Sequence, residues 1–251
     1  MPLFSWDNEW EYRFMDVFPQ FNEATKRLAT TEKQLGNASS SVVITDAGYG
    51  NLVRAFDVYD VNSTDAEKDA DYEKMTKGSL NAGFPSWSPD GTKVVYRLWD
   101  GQNGPLGLHI VDLASGESTQ LTNGWDHTPG WSPDGELIVF TRQTNWTSGS
   151  SWDADRFDIC TVRPDGTDFK VLTDSQANDA HAVWSLDGRI LYSSGMFGFR
   201  DESPLYDETF QPYGQIIVMN ADGSNKTMLT DSMWEDSMPM YVWRSAFEER
   251  A

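Results

Sequence analysis

The sequence has one cysteine, three histidines and only 19 lysines and arginines among 251 residues. A lone cysteine, Cys160, excludes an intrachain disulfide, a CxxC redox pair and a cysteine zinc cluster. Against 39 aspartates and glutamates the basic residues leave a formal net charge of −20. That balance lacks the basic patch that a nucleic-acid backbone or an anionic membrane would need, so neither is expected as a partner. No apolar run approaches the roughly 18 residues of a membrane span. Residues 1–16 carry Asp7, Glu9, Glu11 and Arg13 with no apolar core, which reads as no secretory signal and leads to the expectation of a cytoplasmic protein. A GxSxG elbow, an HExxH helix, a Walker loop and a GxGxxG turn after a strand are all missing.

What is present is a core-forming, aromatic-rich composition and a repeat. Hydrophobic residues make up 39% and aromatics 13% of the chain, with 11 tryptophans, enough to bury a sizeable core. Three segments align: FPSWSPDG at Phe84 to Gly91, TPGWSPDG at Thr128 to Gly135, and HAVWSLDG at His181 to Gly188. Their tryptophans, Trp87, Trp131 and Trp184, are 44 and 53 residues apart. Each is followed by an apolar strand (Lys93 to Leu98, Leu137 to Thr141, Arg189 to Ser193) and, after a loop, by a second (Leu108 to Asp112, Asp158 to Val162, Gln215 to Met219). A small-residue turn and a Leu-Thr ending at Thr122, Thr173 or Thr230 close the unit. Asp-Gly pairs at 90–91, 134–135, 187–188, 165–166 and 222–223 supply turn residues between these strands. Four short strands per unit, which cannot bury both faces alone, predict an all-β chain of stacked four-stranded antiparallel blades, a β-propeller.

The motif of Pro-x-Trp-Ser-Pro-Asp-Gly, two apolar strands, an Asp-Gly turn and Leu-Thr resembles the TolB-type, or WD40-like (PD40), β-propeller repeat. The resemblance covers Asn81 to Thr230, about 150 residues, and implies fold more than chemistry, because such propellers carry enzymes and binding modules alike. The expected organisation is one propeller over 1–251. Its blade-like units fall at about 16–59, 79–122, 123–173 and 174–230, with a polar linker or contracted blade at 60–78 and a closing strand at 231–245. In the weaker first unit Phe21 stands in the tryptophan position.

Two residues before each tryptophan position stand Pro19, Pro85, Pro129, Ala182 and Pro239, and three residues earlier Asp16, Ala82, Asp126, Asp179 and Asp236. The resembled fold implies that this segment leads into the innermost strand, so four carboxylates would face one mouth of a central channel. Two readings stay open. The aspartates bind Ca²⁺ or another divalent cation, or a cationic group of a ligand, as hard oxygen ligands do. Alternatively each caps backbone in a turn. His127 and His181 adjoin Asp126 and Asp179 and could join them around a metal. A resemblance to oligogalacturonate lyases implies such a site, with fewer histidines here than that family uses. His109 and Cys160 read as packed strand residues. The long loop Gly195 to Tyr213 offers Phe197, Phe199, Arg200, Tyr206, Phe210 and Tyr213, a mixture suited to ligand capture or to sealing a blade. The leading reading is a non-catalytic binding or protein-interaction scaffold with a protein or carbohydrate ligand, and the alternative is a metal-assisted carbohydrate-active enzyme at the same mouth.

Overall fold

The computed structural model describes residues 4–5, 14–34, 40–46, 53–56, 80–100, 104–144, 156–175, 177–197, 214–232, 236 and 238–241, and of residues 4–5, 14–17, 33–34, 53–56 and 197 only the backbone. Among them there is no α-helix; one short 3-10 turn spans Gly195–Phe197. The chain forms two compact units, residues 1–131 with 164–166, and residues 132–163 with 167–251.

In the first unit the strands are β1 (Phe4–Ser5), β2 (Phe14–Asn22), β3 (Arg27–Gln34), β4 (Ser40–Asp46), β5 (Val53–Phe56), β6 (Leu80–Trp87), β7 (Lys93–Asp100), β8 (Gly104–Asp112), β9 (Ser118–Gln120) and β10 (Asp126–Trp131). Antiparallel ladders of four strands each run β2 to β5 and β6 to β9. A single parallel pair, Ser40 with Asn81, joins them into one nine-stranded sheet. That join was not expected, and neither was β1, which adds Phe4 and Ser5 opposite Met15 and Phe14.

The second unit contains β11 (Ile138–Gln143), β12 (Phe157–Val162), β13 (Lys170–Val171), β14 (Asp179–Trp184), β15 (Ile190–Ser194), β16 (Gln215–Met219) and β17 (Thr227–Met228). The remaining sheets have the strand orders β10-β11-β12-β13 and β14-β15-β16-β17. The expected contracted blade at 60–78 lies outside the described residues. The expected closing strand at 231–245 is not a strand at any of its described residues.

The strands β12 (Phe157–Val162) and β15 (Ile190–Ser194) are buried along their whole length and β7, β11 and β16 along most of theirs, whereas the closing strands β9, β13 and β17 are exposed. Continuous burial is the pattern of a strand covered on both faces. In the first unit Ala29, Val42 and Ile44 of one blade pack with Trp87, Val94 and Tyr96 of the next. In the second, Val139, Ile159 and Leu172 pack with Ile190, Tyr192 and Met219 in the same way.

The Trp-Ser-x-Asp-Gly motif builds a closed turn. The Ser88 hydroxyl donates to Asp90 Oδ1 at 2.7 Å and accepts the Lys93 N–H at 2.9 Å, while Asp90 accepts the Thr92 N–H at 3.0 Å. Ser132 with Asp134, and Ser185 with Asp187, repeat the arrangement. The serine hydroxyl beside Asp90 and Asp134, and Arg189 with Ser185 beside Asp187, hold these carboxyls below the ordinary aspartate range, Asp187 at about 2. Glycine at 91, 135 and 188 follows with φ of 71°, 76° and 79°, a conformation that costs other residues strain.

Candidate functional site

Each opening strand carries the same irregularity. A non-glycine residue takes a left-handed conformation at Phe18, Phe84, Thr128, His181 and Met238, with φ between 44° and 55°. The residue three further on is Phe21, Trp87, Trp131, Trp184 or Tyr241, so the backbone reproduces the sequence alignment of all five units. In β2, β6 and β14 the register slips at this residue, a β-bulge that re-aims the chain. Phenylalanine, histidine and methionine are strained there, so something must hold them.

The holding contact is a hydroxyl on the preceding blade. The Phe84 N–H donates to Thr31 Oγ1 at 2.9 Å, the His181 N–H to Thr141 Oγ1 at 3.2 Å, and the Met238 N–H to Ser193 Oγ at 3.1 Å. Thr31 lies opposite Val17 and Ser193 opposite Ala180, in each case the residue before the left-handed one. Arg97, opposite Gly83, occupies the same step. It carries no acceptor atom.

The aspartates two residues before the left-handed position are held as well. Asp126 accepts from the Thr122 hydroxyl, Asp179 from Ser175 at 2.8 Å and Asp236 from Ser232 at 2.6 Å, always four residues back. The Leu-Thr motif completes the frame: Thr122, Thr173 and Thr230 accept the N–H groups of Leu108, Ile159 and Ile216 at 2.8 to 2.9 Å. Threonine thus extends the ladder with a side chain where the closing strand has ended.

In the first unit the site is aromatic. Arg97, 9% exposed, lies over Trp99 at 4.4 Å, Trp125 at 5.4 Å and Phe84 at 5.9 Å. Phe18, 42% exposed, contacts Phe84 with ring centroids 4.3 Å apart, and Trp125 stacks on His127. Burial lowers the Arg97 guanidinium to about 10, with the Asp126 charge opposing the shift, so it stays cationic at neutral pH.

In the second unit the site is a pair of buried carboxylates. Asp158 accepts from Thr144 Oγ1 at 2.6 Å and Thr173 Oγ1 at 3.1 Å, with Arg156 Nε 3.4 Å away. Burial raises the Asp179 carboxyl above the ordinary range; hydroxyls oppose this and the Asp158 charge adds to it.

Of the expected metal set, Asp126 and Asp179 are buried and His127 and His181 half-buried. Asp236 lies beside the left-handed Met238. Asp16 pairs with Glu32 across β2 and β3, and its side chain is outside the described residues. Among the described residues no three histidine, cysteine, aspartate or glutamate side chains converge. Within the capture loop, Phe197 ends the 3-10 turn with its side chain outside the described residues, and Phe199, Arg200, Tyr206, Phe210 and Tyr213 lie outside them altogether. Trp87 is buried and donates its Nε1–H to Gln20 O at 2.9 Å, while Trp131 and Trp184 are half-buried. Arg97 was missed because KVVYRL reads as an unremarked strand; aligning its arginine with Thr31, Thr141 and Ser193 was the available signal.

An all-β chain of successive four-stranded antiparallel ladders, with bulged opening strands such as β6 and β14 latched to the ladder before them, defines a β-propeller. No family model matches it. The Tol-Pal system protein TolB of Francisella tularensis is 38% identical over 69 residues, covering 24% of this chain and 15% of that protein. A TolB homologue of Chlorobium luteolum is 32% identical over 127 residues, covering 50% of this chain and 26% of the relative. A solved structure from Agrobacterium tumefaciens described as a TolB superposes with a TM-score of 0.63 at 21% identity, covering 89% of this chain and 68% of that one. The chain is thus similar to TolB proteins over part of its length and shares their β-propeller fold. The chain spans well under two thirds of the length of the curated relatives it matches.

These relatives correct the expectation of a cytoplasmic protein, because Tol-Pal components of this kind are periplasmic. That expectation rested on residues 1–16, and the start of a sequence that spans part of its relatives' length carries no information about compartment.

Proposed function

We propose that this chain is a protein-interaction scaffold, whose binding face lies in the first unit, at the bulged ends of the opening strands β2 and β6 and beside β10. The observation that supports it is how the polar groups there are used. Asp126, Asp179 and Asp236 are each engaged by a hydroxyl four residues back, which fixes the backbone and leaves half-exposed aromatics such as Phe84, Trp99 and Trp125 beside the exposed Phe18. Rigid aromatic residues on a fixed frame are what protein interfaces use as anchors. The matched relatives include Tol-Pal system proteins, so the partner class to try first is the Pal component of such a system.

Titration calorimetry of the purified full chain against a Pal protein, run beside an assay for unsaturated product from polygalacturonate, tests the reading. Saturable binding without product is the expected result. Product formation without Pal binding would replace the scaffold by the carbohydrate-active alternative.

A further inference from the structure

Three steps of the repeat carry a hydroxyl that accepts the N–H of the left-handed residue: Thr31, Thr141 and Ser193. Arg97 stands at the same step and has only donors. A local rule broken once in a repeat is where function is expected. The surroundings of Arg97 bear that out chemically. Its side chain is nine-tenths buried among Phe84, Trp99 and Trp125. The nearby Asp126 acts on its charge, but among the described residues no hydrogen-bond acceptor or ion-pair partner engages the guanidinium. Aromatic faces stabilise its charge without using its in-plane N–H groups. Those donors are therefore left for an acceptor that arrives from outside.

We propose that Arg97 and the rings of Phe84, Trp99 and Trp125 form a carboxylate-recognition subsite, which takes an aspartate or glutamate side chain of a protein partner, flanked by an apolar residue that lies on Phe18. This deepens the protein-interaction reading and rests on it. A guanidinium donates two parallel N–H bonds to a planar carboxylate, and removal of water inside an aromatic cup strengthens that pair. The rim favours a peptide over a sugar acid. Phe18 and Phe84 in contact at 4.3 Å suit an apolar side chain, whereas the hydroxyls of a uronate would need polar partners that these rings do not supply.

The test uses the full chain with three probes: acetyl-Phe-Glu-Phe-amide, acetyl-Phe-Gln-Phe-amide and galacturonate, titrated by heteronuclear NMR. The glutamate peptide is expected to bind at least about ten-fold more tightly than the glutamine peptide. Arg97→Thr should abolish that preference while melting no lower than the unmodified chain, because threonine supplies the hydroxyl found at the other three steps. Phe18→Ala should weaken both peptides and keep the preference. If Arg97→Thr does not melt cooperatively, Arg97→Lys is read instead, which keeps the charge, loses the two-pronged geometry and should reduce the preference several-fold. Equal binding of the two peptides, binding of neither, a preference that survives Arg97→Thr or is undiminished in Arg97→Lys, or Arg97-dependent binding of galacturonate alone would each overturn the proposal. A chain that binds Pal yet shows no glutamate preference keeps the scaffold reading and loses this subsite.

Discussion

In the second unit, Thr141 and Ser193 each receive a backbone N–H from the next opening strand, at 3.2 and 3.1 Å. In the first, Thr31 does the same for Phe84 at 2.9 Å, and the following step is Arg97 under three aromatic rings. One unit therefore completes its frame with neutral hydroxyls and buries a pair of carboxylates, while the other interrupts the frame with a buried cation. The comparison separates what the repeat needs in order to fold from what it can spare. A hydroxyl at the bulge is structural wherever it recurs, and its replacement marks a position released for recognition.

The largest test of that separation is at the tryptophan position. Trp87 is 7% exposed and tied to Gln20, whereas Phe21, its counterpart in the first blade, is 50% exposed. Trp87→Ala should cost about 3–5 kcal/mol and Phe21→Ala under about 0.5 kcal/mol in urea melts; similar losses would mean the two blades are equally packed. Next comes Thr173→Val, which strips the Ile159 N–H of its acceptor and Asp158 of a buried donor, at a cost of roughly 1–3 kcal/mol.

Smaller, and more pointed, is the pair Thr141→Val and Arg97→Thr. The first should lose about 1 kcal/mol and the second nothing, so a loss on Arg97→Thr as large as that on Thr141→Val would make Arg97 structural. The smallest effect is one of pH. Asp179 is raised by burial, so its contribution to stability is present below the ordinary aspartate value and is lost as pH rises through its folded value. Asp90 and Asp134 are lowered, chiefly by serine hydroxyls, so theirs is present above the ordinary value and is lost as pH falls through the folded one. Asp179→Asn should therefore gain on the unmodified chain as pH rises from about 4, and Asp90→Asn should lose. Urea midpoints across pH 3 to 8 read both signs.

Much of the frame was legible beforehand because turn chemistry is local. Asp-Gly pairs and Trp-Ser-Pro-Asp-Gly announced their turns, and β7, β12 and β16 fall on the expected apolar runs. The left-handed residues were not legible, since Phe84, His181 and Met238 share no side-chain chemistry and their strain is balanced by hydroxyls of another blade. The parallel join of Ser40 to Asn81 was hidden because one residue pair leaves no periodicity. The aspartates were aligned with one another by spacing, but their partners, Thr122, Ser175 and Ser232, came from the structure. Arg97 was legible only by comparison, since its meaning depends on which residues of other blades occupy its step.

The claim that the first unit's bulged opening strands form a binding face is tested most directly by hydrogen–deuterium exchange on the full chain with and without a saturating Pal protein. Protection confined to residues 18–21, 80–86, 97–100 and 122–131, at Phe18 and the Arg97 cup, is the predicted result. Protection on the exposed closing strands β9, β13 and β17, with none at the cup, would contradict it.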